Sequence, residues 1–229
     1  MKDWVFELAC TGMANRAADA EAWANTAVRL WAGLSGLAAL DLYRPSTATA
    51  HDPFNDDGPG PRFIAMLAFP SREALERVAG SSAFATSLAE RPAGLDFTGS
   101  AFERHFYPVA GEAKPAPLTA PFSYVVRYHK PAEDEAAFIR NYVERHLPTL
   151  ATLPGIRAVM CYFPLPVQAA ALAPAGYMIG NEVVFDDVAA FNAAMQSPVR
   201  QELRRHFREF PPFRGRNTHF AMDRTRHAG

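Results

Sequence analysis

Apolar and polar positions alternate along the chain in short runs, and several runs lead into a segment with helical spacing. In the second half, residues 124–128 alternate as a strand. Residues 134–146 carry apolar side chains at intervals of three and four, which predicts a helix. The turn Leu153-Pro154-Gly155 leads into a strand at 158–163. A strand at 182–185 runs into Asp186-Asp187 and a helix through Met195, and a last strand is predicted at 218–222. The first half has the same order: strand 4–8, helix 18–31, a glycine-containing turn at 33–36, strands 38–43 and 63–69, helix 71–78 and strand 102–107. The pattern is βαββαβ, written twice.

Between Gly111 and Pro121, small residues and the prolines 115, 117 and 121 cannot continue a strand or helix. Residues 1–110 and 122–229 are therefore expected as two ferredoxin-like repeats of α+β class, with 111–121 as the linker. Each βαββαβ unit makes a four-stranded antiparallel sheet with both helices on one side, so each leaves a bare face. The two bare faces are expected to cover each other, as two subunits of a homodimer would. Aligning Trp4 with Tyr124 sets Glu7 opposite Arg127, and aligning His105 with His219 sets Phe106 opposite Phe220. The bulky sets Trp4/Phe6/Leu8, Tyr124/Val126/Tyr128, Phe102/Phe106 and Phe220/Met222 are expected to meet helices. The alternate sets hold Glu7, Arg127, His129, Glu103, His105, Tyr107 and His219. That mixed face predicts a polar-lined cavity between the sheets.

The second half resembles the EthD family of the dimeric α+β barrel superfamily. The resemblance rests on the strand 124–129, Lys130-Pro131 with Asp134, Glu135 and Phe138, the helix end Tyr142-x-x-x-His146-x-Pro148, Leu153-Pro154-Gly155, Phe185-Asp186-Asp187 and Gln196-Ser197-Pro198. It implies a barrel like those of polyketide cyclases, antibiotic-biosynthesis monooxygenases and muconolactone-type isomerases. The first half has neither the tyrosine nor the histidine around 27–31, so a site carried by that helix end is expected once per chain.

His146 shares a helix face with Phe138 and Tyr142. At a helix C-terminus the dipole would raise its pKa. It reads either as an acid/base group at the barrel mouth or as a cap on the turn before Pro148. His219 and His105 read as ligand contacts or as structural polar links between the sheets, with Glu7, Glu103, Arg127 and Glu182 as hydrogen-bond partners. Tyr107 either donates into the cavity or packs. Arg127 either binds a carboxylate or enolate, or pairs with Glu7. His146 and His219 are the expected catalytic residues; Tyr142, Arg127, Glu182 and Tyr107 are the expected substrate-binding ones. The loop 51–62, with Asp52, Asn55, Asp56 and Asp57, lacks the spacing of a calcium loop and reads as a solvated surface. The loop 164–176 is apolar and reads as a packed turn or a lid. Arg200, Arg204 and Arg208 share one helix face and read as solvated, paired with Glu202 and Glu209.

A net charge of −1 and the lack of an aromatic platform beside the arginines argue against a nucleic-acid partner. No apolar run approaches a membrane span, and the strand pattern begins at once, so the expected location is cytoplasmic. Cys10 and Cys161 are then expected as reduced, buried thiols. No metal-ligand spacing, phosphate loop or nucleophile elbow is present. The expectation is therefore no cofactor, with haem on a single histidine as the rival. Acid/base chemistry of isomerase, lyase or monooxygenase type is expected on a small hydrophobic, aromatic or lactone-like molecule between the sheets. The alternatives are a ligand-binding or stress-associated module without catalysis, and an interaction protein that assembles through sheet edges. Duplication makes a monomer self-sufficient, and a homodimer through an exposed helix face or edge is the open alternative.

Overall fold

The computed structural model describes residues 1–228 apart from 56, 59 and 170, so Asp56 of the acidic loop and Ala170 of the apolar loop lie outside the described residues. Strand β1 (Lys2–Thr11) leads through a 3-10 turn to helix α1 (Ala17–Trp31), then β2 (Ala39–Pro45), β3 (Phe63–Phe69), α2 (Arg72–Ala79), α3 (Ser82–Ser87) and β4 (Asp96–Tyr107). After β5 (Phe122–His129) come α4 (Glu135–Asn141), a π-helical turn (Tyr142–His146), α5 (Leu147–Leu150) and β6 (Ala158–Leu165). The chain ends with β7 (Ala173–Pro174), β8 (Tyr177–Phe185), α6 (Val188–Met195), α7 (Pro198–Arg208) and β9 (Asn217–Ala228).

Strands close into a barrel in the order β1-β3-β2-β9-β5-β8-β6-β4, with β4 pairing back to β1. Every ladder of this ring is antiparallel; β7 adds a two-residue parallel pairing on β4. Closure removes the free edges that strand-addition assembly would need. The unbroken apolar run of β3 follows from this arrangement. Phe63, Ala65, Leu67 and Phe69 pack outward beneath α1–α3, while Ile64, Met66 and Ala68 face the barrel interior. Helix α1 buries Ala20, Trp23, Ala24, Ala27, Val28 and Trp31, one stripe at helical spacing. Ser71, Ser81, Asp134 and Asp187 cap their helices by accepting a backbone N–H three residues on.

The barrel interior is filled. Its apolar part includes Val5, Tyr43, Met66, Phe102, Val125, Tyr162 and Met222. Most of its polar groups pair with one another, while Arg104 Nη1 and Arg224 Nε have no hydrogen-bond partner among the described residues. Arg127 Nε and Nη2 donate to Glu7 Oε2 at 3.0 and 2.5 Å. Ser123 and Tyr162 donate to Glu182 at 2.6 and 2.5 Å. Arg224 and Arg226 converge on Asp41, and Arg104 reaches Asp3. The cavity expected between the sheets is thus occupied by side chains. Two strand faces also differ from expectation. Phe102 and Phe106 on β4 and Phe220 and Met222 on β9 line the interior. Tyr107 and Ala221 pack outward, and His105 meets the outward Phe163 edge to face. Bulk is no guide to facing here, because a closed barrel with helices around it buries both faces of a strand. A one-residue offset exchanges them.

Candidate functional site

A cleft lies outside the barrel, between the outer faces of β5, β8 and β9 and the layer formed by the π turn, α5 and α7. It is lined by Tyr124, His146, Asn181, Arg200, Arg204 and His219 among others. Its free space is about 50 Å³, room for one or two waters.

Strand alternation brings Tyr124 and Val126, Asn181 and Val183, and Asn217 and His219 to this outer side. Helix α7 supplies Arg200 and Arg204 one turn apart. The helical run does not end at His146. The π turn continues into α5, so His146 sits mid-run rather than at a terminus. That removes the dipole argument, and the sign of the expected shift reverses. Burial, then the nearby His206, Arg200 and His219, push the His146 pKa down to about 3. The ring is neutral at physiological pH and 7 % exposed, and among the described residues its Nδ1 has no hydrogen-bond partner.

Part of the loop before β3 belongs to this cleft: the Asp52 side chain is buried there, while His51, Pro53, Asp57 and Gly58 are exposed as a solvated surface would be. Arg200 Nη2 donates to both Asp52 oxygens at 2.7 and 2.8 Å, and Tyr124 Oη donates to Asp52 Oδ2 at 2.9 Å. Burial opposes ionisation of Asp52, but the hydrogen bonds and charge of Arg200 outweigh it and hold the carboxyl below its usual range. Asp57 Oδ2 accepts the His219 backbone N–H and lies 2.8 Å from His219 Nδ1. That hydrogen bond with the ring keeps the Asp57 carboxyl low as well. Gly60, at φ +67°, lets the loop descend onto β9; a Cβ there would sit 2.7 Å from the Phe220 ring. Glu202 and Glu209 pair instead with Arg205 and Arg145. Replacing Tyr124 by Phe is expected to cost about 1.5–3 kcal/mol, the worth of a hydrogen bond to a charged acceptor. The check is the urea midpoint at unchanged slope.

The expected catalytic pair, His146 and His219, meets in this cleft, although His219 had been assigned to the inter-sheet face. Tyr142 lies beneath it, fully buried, with its ring 4.9 Å from that of His146 and its hydroxyl accepting from Asn181 Nδ2. Arg127 and Glu182 sit on the other side of the sheet, in the barrel interior. Tyr107 is on the outer side but outside the cleft lining, and burial pushes its phenol up to about 12. Asp52, Tyr124, Asn181, Arg200 and Arg204 escaped sequence reasoning as site residues. One signal was legible: Asn181 and Glu182 are adjacent polar residues in an apolar strand, so they serve opposite faces. Burial raises both thiols, Cys10 to about 12, which leaves them inert.

Among the described residues, no group of three or more His, Cys, Asp or Glu is placed to hold a metal ion. The residues beside His146 do not fit a haem. The free space of about 50 Å³ is far below the roughly 300–1,000 Å³ of sites for drug-sized ligands. No helix is long and apolar enough to cross a membrane among the described residues.

No protein-family model matches the chain, and no curated protein matches it. Solved structures do. An anthrone oxidase-like protein aligns over 100 % of this chain and 94 % of its own, with 14 % identity and a TM-score of 0.64. A proposed monooxygenase from Fusobacterium nucleatum aligns over 96 % and 92 %, at 10 % identity and 0.56. A variant chlorite dismutase from Candidatus Nitrospira defluvii aligns over 96 % and 91 %, at 12 % identity and 0.54. At these identities the likeness is one of fold, and with the closed ring of antiparallel strands it establishes that this chain has the dimeric α+β barrel fold, closed here within a single polypeptide.

Proposed function

We propose that the cleft beside His146 and His219 is an active site for cofactor-independent proton transfer on a small aromatic or lactone-like molecule. The observation that carries this reading is the convergence of two imidazoles, one held by Asp57, with a guanidinium and a phenol in one half-apolar cleft. Among the described residues His219 Nε2 makes no hydrogen bond, so Asp57 orients the ring while leaving that nitrogen for a substrate proton. Loss of a proton from an acidic C–H leaves an enolate or phenolate, whose charge the arginines of α7 would stabilise. Neutral His146 would donate or accept a hydrogen bond and carry no charge. The oxidase-like and monooxygenase-like names of the neighbours fit substrates of this electron-rich kind.

The duplicated architecture is part of the same proposal. The strand orders β4-β1-β3-β2 and β9-β5-β8-β6 correspond as two ferredoxin-like units, with residues 1–110 and 122–229 as the repeats and the second as the EthD-like one. A homodimer and a cytoplasmic location complete it.

The test is deuterium uptake from D2O at the acidic carbon of anthrone and of 2-coumaranone, followed by proton NMR. The protein is expected to accelerate exchange, and His219→Gln to lose at least about a hundredfold of that acceleration. Equal rates with and without protein would end the catalytic reading. Binding of either compound without exchange would favour the non-catalytic module, for which the small free volume and the already paired Asp52 and Asp57 speak.

A further inference from the structure

Arg204 stands apart from the other charges of the cleft. Arg200 has Asp52, and His219 has Asp57. Among the described residues Arg204 makes no hydrogen bond or ion pair, and its Nε is buried without a partner. Its guanidinium lies instead over two rings, 5.5 Å from the centre of Phe54 and 5.8 Å from that of Phe207. A guanidinium keeps its charge at any physiological pH. Among the described residues the cleft therefore holds one fixed positive charge without a counter-ion, flanked by aromatic faces.

Among the described residues two further polar atoms at the cleft have no partner, His146 Nδ1 and Asn181 Oδ1. Asn181 spends its amide nitrogen on Tyr142, so its oxygen is left purely as an acceptor. A ligand hydroxyl meets such a demand, since it both donates and accepts. Space is the remaining constraint. About 50 Å³ is short of the roughly 150 Å³ that accommodates a benzene ring, so a ring enters only where a side chain leaves. Phe54 lies outside the residues that line this space but packs on Arg200 and Arg204, which do line it, so its departure would extend the space along both guanidinia. It sits on the loop, half-buried, and its ring already contacts both guanidinia, with Arg200 at 4.8 Å.

We infer that Arg204 takes the anionic group of a planar hydroxyaryl ligand, a carboxylate or phenolate, whose ring occupies the place that Phe54 now holds. This rests on the cleft proposed above being the ligand site, and it narrows the ligand to aromatic anions or to molecules that become such anions on losing a proton.

Titration calorimetry with salicylate and its neutral amide, salicylamide, at fixed ionic strength tests it on the full chain. The wild type is expected to bind salicylate at least about tenfold more tightly than salicylamide. Arg204→Gln is expected to bring the two within about twofold, while Arg204→Lys keeps part of the preference, because charge without the planar fork recovers only some of the interaction. Phe54→Ala is expected to tighten salicylate binding by at least about threefold, since no ring has to be displaced. Equal affinities in the wild type, no binding of either compound, a preference that survives Arg204→Gln, or weaker binding by Phe54→Ala would overturn the inference. Salicylate has no acidic C–H, so these outcomes are separate from the exchange assay. Exchange that depends on His219 without any preference for salicylate would sink the role of Arg204 and leave proton transfer standing.

Discussion

Glu7→Ala is expected to cost the barrel about 3–5 kcal/mol, the usual penalty for leaving a buried charge without its partner. Arg127 and Glu7 are both 2 % exposed at the side chain. Burial opposes the charge on Arg127, and the Glu7 carboxylate outweighs that opposition. The rest of the guanidinium has nowhere else to go. Its Nη1 already donates to the carbonyls of Val126 and Asn181 at 2.9 and 3.2 Å, and its face stacks on Tyr162 at 4.3 Å. Gly180 makes room for it; a Cβ there would meet Arg127 Cδ at 2.8 Å. Without Glu7 the cation stays enclosed and uncompensated. Urea unfolding followed by circular dichroism would read the loss as a lower midpoint. The double change Glu7→Leu with Arg127→Met should recover most of it, because apolar replacement of a whole buried pair is close to neutral. A loss under about 1 kcal/mol in the single variant, the scale of exposed pairs, would show that the pair is not isolated from water.

Acid should destabilise the protein earlier than its carboxylates alone would predict, and His146 should be the main cause. Its folded pKa, about 3, lies below the ordinary value of 6.5. Between those two values the unfolded chain binds a proton that the folded chain refuses. Stability is therefore full above pH 6.5, falls as the pH drops through the window, and stops changing below the folded pKa. The whole window is worth about 4–5 kcal/mol, of which about 2 kcal/mol is already lost at pH 5. His129 and His227 are shifted in the same direction by burial, but both are partly exposed and contribute less. Asp52, Asp57, Glu21 and Glu103 have lowered pKa values, and their losses begin as the pH falls into the ordinary carboxylate range, below about pH 5. His146→Phe keeps a ring against Tyr142 and Phe210 and should flatten the stability curve between pH 6.5 and 5. Parallel curves for the two proteins over that interval would rule out a neutral buried imidazole at this position.

Both effects arise from polar groups whose neighbours are distant in sequence, and that separates the legible from the hidden. The Glu7–Arg127 pair could be read from the aligned strands, because both halves place a charged residue at the same inward position. His146 could be singled out from its helix face, yet its ionisation could not. The π turn and the packing of α7 decide that burial and nearby basic side chains, rather than a helix end, surround it. Asp52 was read as solvated because its loop is acidic and glycine-rich. Its partner Arg200 is 148 residues away, and no local pattern links them.

By itself the chain determined the main strands and helices and their order, since strand alternation, helical spacing, caps and turn residues act over a few positions; α3, α5 and β7 emerged only with the fold. It also determined that the second half alone carries the Tyr142–His146 face. Which side of β4 and β9 looks inward, whether the interior is empty or filled, and which loop closes over which helix were decided only in three dimensions. Those outcomes depend on register between strands and on pairing between charges far apart in the chain, where a one-residue offset reverses every side chain and a single buried arginine recruits a distant carboxylate.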